Sequence, residues 1–366
     1  MENQAKEYQV IGLMSGTSLD GIDAALIRTD GERVTAREGF VYLPYPDNLR
    51  GDIRAVFGRR HEDAPEAERA VTLAHAEAVR MLLEKTGTVA HDVDLIGFHG
   101  QTIMHAPAQG YTCQLGDGAL LAKMTGIKVV NDFRSADVRA GGQGAPLVPV
   151  YHRALAAELE KPVVFLNIGG VASLTYVGEN GELIAFDAGP GNALLDDWML
   201  QKAGKKFDGG GLAAKAGTPD EAALATLTAL PYFVAHPPKS LDRDAFAPYL
   251  TATGHRTWGL EDGAATLAAF TAWAIAKSQE FFPAPPKKWI VCGGGRHNAF
   301  FMEMLAKTLP APVAPIESLG LDGDATEAEA FGYLAVRTLR GLPLSFPDTT
   351  GVRAPLTGGV VHDVPR

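Results

Sequence analysis

The sequence predicts an α/β protein of two domains, and three observations carry that prediction. A length of 366 residues suits two domains of ordinary size. A strand, a glycine-rich turn and a second strand occur at residues 10–27 (VIGLMSGTSLDGIDAALI) and again at 163–177 (VVFLNIGGVASLTYV). The two stretches share a layout more than identities and read as one hairpin per domain. Short apolar runs elsewhere end in clusters of glycine and polar residues. That is where open α/β sheets bind ligands, at the carboxyl ends of their strands.

The elements follow in order. After the first hairpin, 33–43 reads as a third strand of a small antiparallel unit. Helices are predicted over 46–57 and 63–84, the second with Val71, Leu73, Ala74, Val79 and Leu82 at helical spacing. A buried strand at 94–98 runs into His99-Gly100-Gln101-Thr102. A short helix at 117–124 and a strand at 128–130 lead to Asn131, Asp132, Phe133 and Arg134. The crossing GGQGAPLVP at 141–149 is taken as the domain boundary. The first domain is therefore placed at 1–140 and the second at 141–340, with the tail 341–366 packing back on the first. In the second domain a helix reaches residue 159. Strands are expected at 163–177, as the hairpin, and at 183–186 and 289–292. Helices are expected at 193–202, 220–229, 266–282, 300–309 and 324–339. The last has Asp324 as its N-cap and Glu327 at N3 of a capping box.

Composition narrows the function. Lys and Arg total 33 against 43 Asp and Glu, a formal charge of −10. That argues against a nucleic-acid partner and against an anionic membrane surface, both of which attract a basic face. Hydrophobic residues make up 46%, enough for a sizeable core. Two cysteines cannot form a disulfide framework and fit a reducing compartment. The first apolar run is too short and too quickly broken for a signal peptide, and no run is long enough to span a membrane. The expectation is a soluble cytoplasmic protein.

Four glycine-rich strand ends are candidates for a phosphate site: 16–21, 169–170, 189–191 and 293–295. None is a Walker A loop or the dinucleotide fingerprint. In the first, Gly16, Thr17, Ser18, Leu19, Asp20, Gly21, Ile22 and Asp23 combine backbone N–H groups and hydroxyls for phosphate with carboxylates for Mg²⁺. Asp20 is the candidate metal ligand, through water. Gly169, Gly170, Gly293, Gly294 and Gly295 are the candidate nucleotide contacts of the second domain. Asp187 closes an apolar strand just before a helix, so it is either a helix cap or the catalytic carboxylate. His99 and Gln101 could face a substrate or be structural. Asp132 and Arg134 could form an ion pair, or could bind substrate hydroxyls and a carboxylate. The spacing of His99 and His105 lacks a clustered carboxylate, which argues against zinc.

Six stretches carry a family resemblance: MSGTSLDGID (14–23), GFHGQT (97–102), DFRSADVRAGGQGAPLVP (132–149), LNIGGVASLT (166–175), FDAGPGN (186–192) and CGGGRHN (292–298). Together they resemble the anhydro-N-acetylmuramic acid kinase family, from residue 10 to about 340. The resemblance implies a two-domain actin-like ATPase (ribonuclease H-like) fold, each domain built on a βββαβαβα core, with ATP in a cleft between the domains. It implies hydrolysis of the 1,6-anhydro bridge of 1,6-anhydro-N-acetylmuramic acid with phosphorylation of its carbon-6 oxygen, using ATP and Mg²⁺, in the recycling of cell-wall sugars. It further implies Asp187 as the base that activates water, 16–23 as the phosphate loop, 293–295 beside the nucleotide, Glu327 as a cleft glutamate, and a homodimer. The sugar's lactyl carboxylate would give Arg134 a partner. Two departures stand out. Ala188 replaces a common Thr, and SLDRDAF (240–246) differs from the family's usual run without touching, on this reading, any catalytic group. Two other readings are a kinase of the same fold with another sugar, and a non-enzymatic nucleotide-gated sugar sensor or actin-like assembly protein.

Overall fold

A computed structural model describes residues 6–365, which divide into two compact units. The first opens with an antiparallel meander of β1 (Tyr8–Ser15), β2 (Gly21–Thr29) and β3 (Val34–Pro44). Val10, Ile11 and Leu13 of β1 are fully buried, as a central strand requires. Two helices follow, α1 (Asp47–Ala55) and α2 (Pro65–Thr86). Proline stands at the first turn of α2 and Gly87 in the left-handed conformation ends it. The chain continues through β4 (Leu95–Ala106), β5 (Tyr111–Leu115), α3 (Gly118–Thr125), β6 (Val129–Asn131), α4 (Ser135–Arg139) and α5 (Pro149–Leu155). β4 runs parallel to β1 and β6 parallel to β4. β4 is longer than the predicted 94–98, because its outer half pairs with β5, which the sequence reading did not foresee.

The second unit repeats the plan. β7 (Val163–Ile168), β8 (Val171–Val177) and β9 (Leu183–Pro190) form the meander, followed by α6 (Ala193–Ala203), α7 (Leu212–Ala216), α8 (Glu221–Thr228) and α9 (Leu260–Lys277). Then come β10 (Lys288–Cys292), α10 (Ala299–Thr308) and β11 (Val313–Pro315). The sheet order is β11-β10-β7-β8-β9, with β7, β10 and β11 parallel. In the first unit β6-β4-β1-β2-β3 has the same order and the same directions. Each unit thus holds the five-stranded sheet of the core that the resemblance implies, but among the described residues of the second unit no α-helix follows β11. Phe186, Trp198, Phe233, Phe270, Trp289 and Phe301 fill that of the second.

The chain then returns to the first unit through α11 (Thr326–Leu339), α12 (Pro347–Thr350) and β12 (Val360–His362), the last pairing with β6. The boundaries therefore lie at 157/158 and 323/324, not at 140/141 and 340/341. The difference is α11. Small residues let its backbone lie directly on the first sheet, with Ala328 and Gly332 against Gly12 and Phe331 against Gly97. A helix that follows a strand in sequence is naturally assigned to that strand's sheet, and here that assignment is overruled by packing. The expected capping box is also absent. α11 starts at Thr326, after Ala325 in helical conformation, with no side-chain cap.

α12 has a structural task. The buried Asp137 accepts hydrogen bonds from the Gly144 N–H (2.6 Å) and the Thr350 hydroxyl (2.5 Å). It thereby ties the 141–149 crossing to the tail. Thr350→Val keeps the shape and removes one donor from a buried carboxylate. The expected loss is about 2 kcal/mol, measured by chemical denaturation.

Candidate active site

Asp187 is not a helix cap. β9 continues to Pro190, and α6 begins only at Ala193. Within the sheet Asp187 pairs with Ser173 of β8, where the register shifts between Ala172 and Ser173. Such an irregularity re-aims a side chain at a strand end. The half-buried carboxylate accepts the Ser173 hydroxyl at 2.6 Å on Oδ1 and the Leu241 N–H at 2.8 Å on Oδ2. Its backbone is tethered too: its N–H donates to the Lys239 carbonyl (3.1 Å), and its carbonyl accepts the Tyr232 hydroxyl (2.5 Å). Burial pushes the Asp187 carboxyl above its ordinary range, and the two donors pull it part of the way back. A fixed carboxylate more basic than an exposed one, with further lone pairs to offer, can take a proton from water or a hydroxyl.

The departures from the family pattern resolve differently. Ala188 is buried in the core, on the opposite face of the strand from Asp187, so the missing Thr leaves the carboxylate untouched. The 240–246 run does touch the site, through the Leu241 N–H. That contact lies 54 residues along the chain, and the sequence reading had no signal for it. The reading also passed over Ser173, Tyr232 and Lys239. Ser173 was the findable one, since it lies in the quoted LNIGGVASLT stretch on the strand beside Asp187.

Three of the four glycine-rich strand ends come together in the second unit. Gly191 and Ala193 donate to the Gly170 carbonyl and Asn192 to that of Gly169. Gly293 and Gly295 pack on Asn167 and Ile168. Beside them a cavity of about 300 Å³ is lined by Asn192, Asp196, Asp208, Gly294, Gly295 and Asn298, among others. Burial raises the Asp196 carboxyl to about 6. The glycines divide into two kinds. Gly293, at positive φ, and Gly295 have no room for a Cβ, so they are required by packing. Gly169 and Gly294 have room, and Gly294 is exposed, which leaves backbone open to a ligand.

In the first unit the loop after β1 is a turn closed by Leu19 N–H to the Gly16 carbonyl (3.2 Å). Thr17, Ser18 and Asp20 are exposed, and the Ser18 hydroxyl donates to Asp20 at 2.5 Å. Leu19 and Ile22 are buried, so any contact they make with a ligand is through backbone. Leu19 also holds a left-handed φ of 59°, a conformation that a buried leucine adopts only when its surroundings fix it. A Cβ on Gly21 would overlap the Leu43 carbonyl, which makes Gly21 structural. Asp23 is half-buried behind the turn. Among the described residues no three His, Cys, Asp or Glu side chains gather as metal ligands.

His99, Arg134 and Glu327 are brought together. Burial and the Arg134 charge hold His99 neutral. His99 donates Nδ1–H to the Gly100 carbonyl (2.6 Å) and accepts Arg134 Nε and an Nη at 3.1 and 3.0 Å. Arg134 also donates to the Gly144 carbonyl (2.8 Å); burial lowers its pKa to about 10, and the Glu327 charge opposes that shift. Phe331 packs on His99 at 4.5 Å. Gln101 lies elsewhere: fully buried, it donates to the Gly16 carbonyl (3.0 Å) and so braces the loop from below. Asp132, at φ 52°, lines a polar cavity of about 240 Å³ with His99, Asn131 and Ser135.

The chain matches the family described as anhydro-N-acetylmuramic acid kinase over residues 8–363. It is 51% identical to the anhydro-N-acetylmuramic acid kinase of Methylobacterium nodulans, covering 96% of this chain and 99% of that one. With the enzyme of the same name from Rhizorhabdus wittichii the identity is 53%, over 96% of this chain and 98% of that one. Among solved structures, ligand-bound xylulose kinase from Lactobacillus acidophilus is 11% identical with a TM-score of 0.47, covering 98% of this chain and 94% of that one. A match of this extent and identity, on a chain whose two sheets share one strand order, makes this protein a member of the anhydro-N-acetylmuramic acid kinase family.

Proposed function

We propose that this chain opens the 1,6-anhydro bridge of 1,6-anhydro-N-acetylmuramic acid and phosphorylates the freed carbon-6 oxygen at the expense of ATP, giving N-acetylmuramic acid 6-phosphate and ADP for cell-wall sugar recycling. The observation that carries the reading is Asp187, a half-buried carboxylate held by two donors and made more basic by burial. Asp187 accepts a proton from water as the water oxygen bonds to the anomeric carbon. The bond from that carbon to the bridging oxygen breaks, and the carbon-6 oxygen takes the phosphoryl group. ATP supplies that group, and Mg²⁺, held through water by Asp20, would neutralise its charge. The exposed turn at Gly16, Thr17 and Ser18 suits phosphate oxygens, with Asp20 beside it for a metal-bound water. The open backbone at Gly169 and Gly294 and the adjoining cavity suit the nucleotide in the second unit. Asp132, His99, Arg134 and Glu327 are the groups assigned to the sugar. The resemblance extends the reading to a cytoplasmic homodimer, which light scattering checks.

The test is turnover of the anhydro sugar with ATP and Mg²⁺ in ¹⁸O-labelled water. One ¹⁸O at the anomeric carbon of a phosphorylated product is expected. An unlabelled sugar phosphate would mean a plain hydroxyl kinase, and no ATP turnover would mean a sensor.

Ser173→Ala gives a pH signature. The Ser173 hydroxyl lowers the Asp187 pKa, and the base works only when deprotonated. Removing the hydroxyl must therefore move the acid limb of kcat/KM to higher pH, with kcat reduced about tenfold near neutrality. An unmoved limb would dissociate Asp187 from that ionisation.

A further inference from the structure

We infer that Lys239 is a positioning residue that holds Asp187 in its working geometry, an inference that rests on the reading of Asp187 as the base. Four contacts form a closed frame. The Lys239 carbonyl accepts the Asp187 N–H (3.1 Å), and two residues further on the Leu241 N–H donates to Asp187 Oδ2 (2.8 Å). The Tyr232 hydroxyl donates to the Asp187 carbonyl (2.5 Å), and Lys239 Nζ donates to the Tyr232 carbonyl (3.0 Å). The ammonium thus ties the segment bearing Leu241 to the turn bearing Tyr232, and Asp187 lies inside the loop so formed.

The surroundings of the ammonium are built for a cation. Nζ lies 4.3 Å from the ring centre of Phe281, 4.7 Å from Tyr232 and 5.5 Å from Phe186, the residue before Asp187. The faces of these rings carry negative potential. No ion pair among the described residues involves Lys239, so it is not part of a surface salt bridge. Half-burial lowers its pKa to about 8, while the ring faces and the carbonyl oxygen favour the charged form against that loss of water. Three titratable side chains border this frame besides Asp187: Tyr232, Lys239 and His236, the last packed on Phe281 at 5.6 Å. β8 contributes the Ser173 hydroxyl.

The consequence is specific. If the frame slackens, the Leu241 N–H leaves Asp187 Oδ2. The carboxylate then loses orientation and also a donor that lowers its pKa. Lys239→Met keeps the apolar stem among the rings and removes the charge and the donor. The expected result is a kcat lowered about 10- to 100-fold, with the KM for the anhydro sugar within about twofold. The acid limb of the pH–rate profile moves to higher pH. Lys239→Arg, still cationic, restores most of both. Lys239→Gln repeats the neutral test should Lys239→Met not fold. The inference is overturned if the neutral variant keeps wild-type kcat and acid limb while Asp187→Asn is inactive. It is equally overturned if Lys239→Arg is as impaired as the neutral variants with the limb unmoved. An active Asp187→Asn would instead overturn the reading of the base, and the inference with it.

Discussion

Asp187→Asn is expected to lower turnover of the anhydro sugar by about 10³-fold while leaving ATP binding intact. The substitution is nearly isosteric. The Leu241 N–H can still donate to the amide oxygen, and the Ser173 hydroxyl can turn to accept from the new NH₂ group. The fold therefore survives at a cost of about 1 kcal/mol or less. What disappears is the capacity to take a proton, which no rearrangement of an amide restores. ADP release and sugar phosphate formation should fall together, and calorimetric titration with ATP should give the wild-type affinity. Turnover within tenfold of wild type would remove Asp187 from the chemistry. Equal loss of activity and ATP binding would point to a structural role.

The largest expected effect on stability is at Gly97. Gly12 of β1 and Gly97 of β4 are directly paired, and α11 crosses both. A Cβ on Gly97 would overlap the Phe331 carbonyl, and one on Gly12 that of Ala328. The obstruction in each case is helix backbone, which no rotamer change can move. Gly97→Ala must lift α11 off the sheet, pulling Phe331 from His99 and Glu327 from Arg134. The expected cost is about 3 kcal/mol or more, a fall in Tm on the order of 10 °C by calorimetry. Sugar binding should weaken more than nucleotide binding. A Tm within about 2 °C of wild type would mean that the helix is not seated as described.

Much of this arrangement was legible in the residues. The two hairpins were visible as short apolar runs flanking small-residue turns, and they open two sheets of one strand order. Asp187 stood out because a carboxylate closes an apolar strand just before glycines and a helix. What could not be read was pairing at a distance. The reading ended β9 at Phe186 because the polar and glycine residues that follow look like a turn, yet β8 carries the ladder on to Pro190. That single shift decides between a helix cap and a tethered base. The contacts from Leu241, Tyr232 and Lys239 come from a segment without helical or alternating pattern, so no periodicity announced them. α11 was recognised as a helix and assigned to the wrong sheet. Its partner face is defined by Gly12 and Gly97, which read as strand residues and give no hint of what will cover them. His99 and Gln101 were grouped by nearness in sequence. Alternation alone would put both on one face; the positive φ of Gly100 and the register shift beside it send one to Arg134 and the other beneath Gly16.

The return of α11 to the first sheet also bears on how the chain is made. Strands β1 to β6 of the first sheet have been synthesised by residue 131, but the helix that covers Gly12 and Gly97 begins at Thr326. The whole second unit, residues 158–323, is synthesised in between. At about 5–20 residues per second that interval is on the order of 10–30 s. For that time the nascent first sheet has an uncovered face, while the second unit, contiguous in sequence, has its last strand by residue 315, before α11 begins. The later-born unit is therefore expected to reach protease resistance first on arrested ribosomes. The earlier-born one should need chaperone cover until its last forty residues emerge.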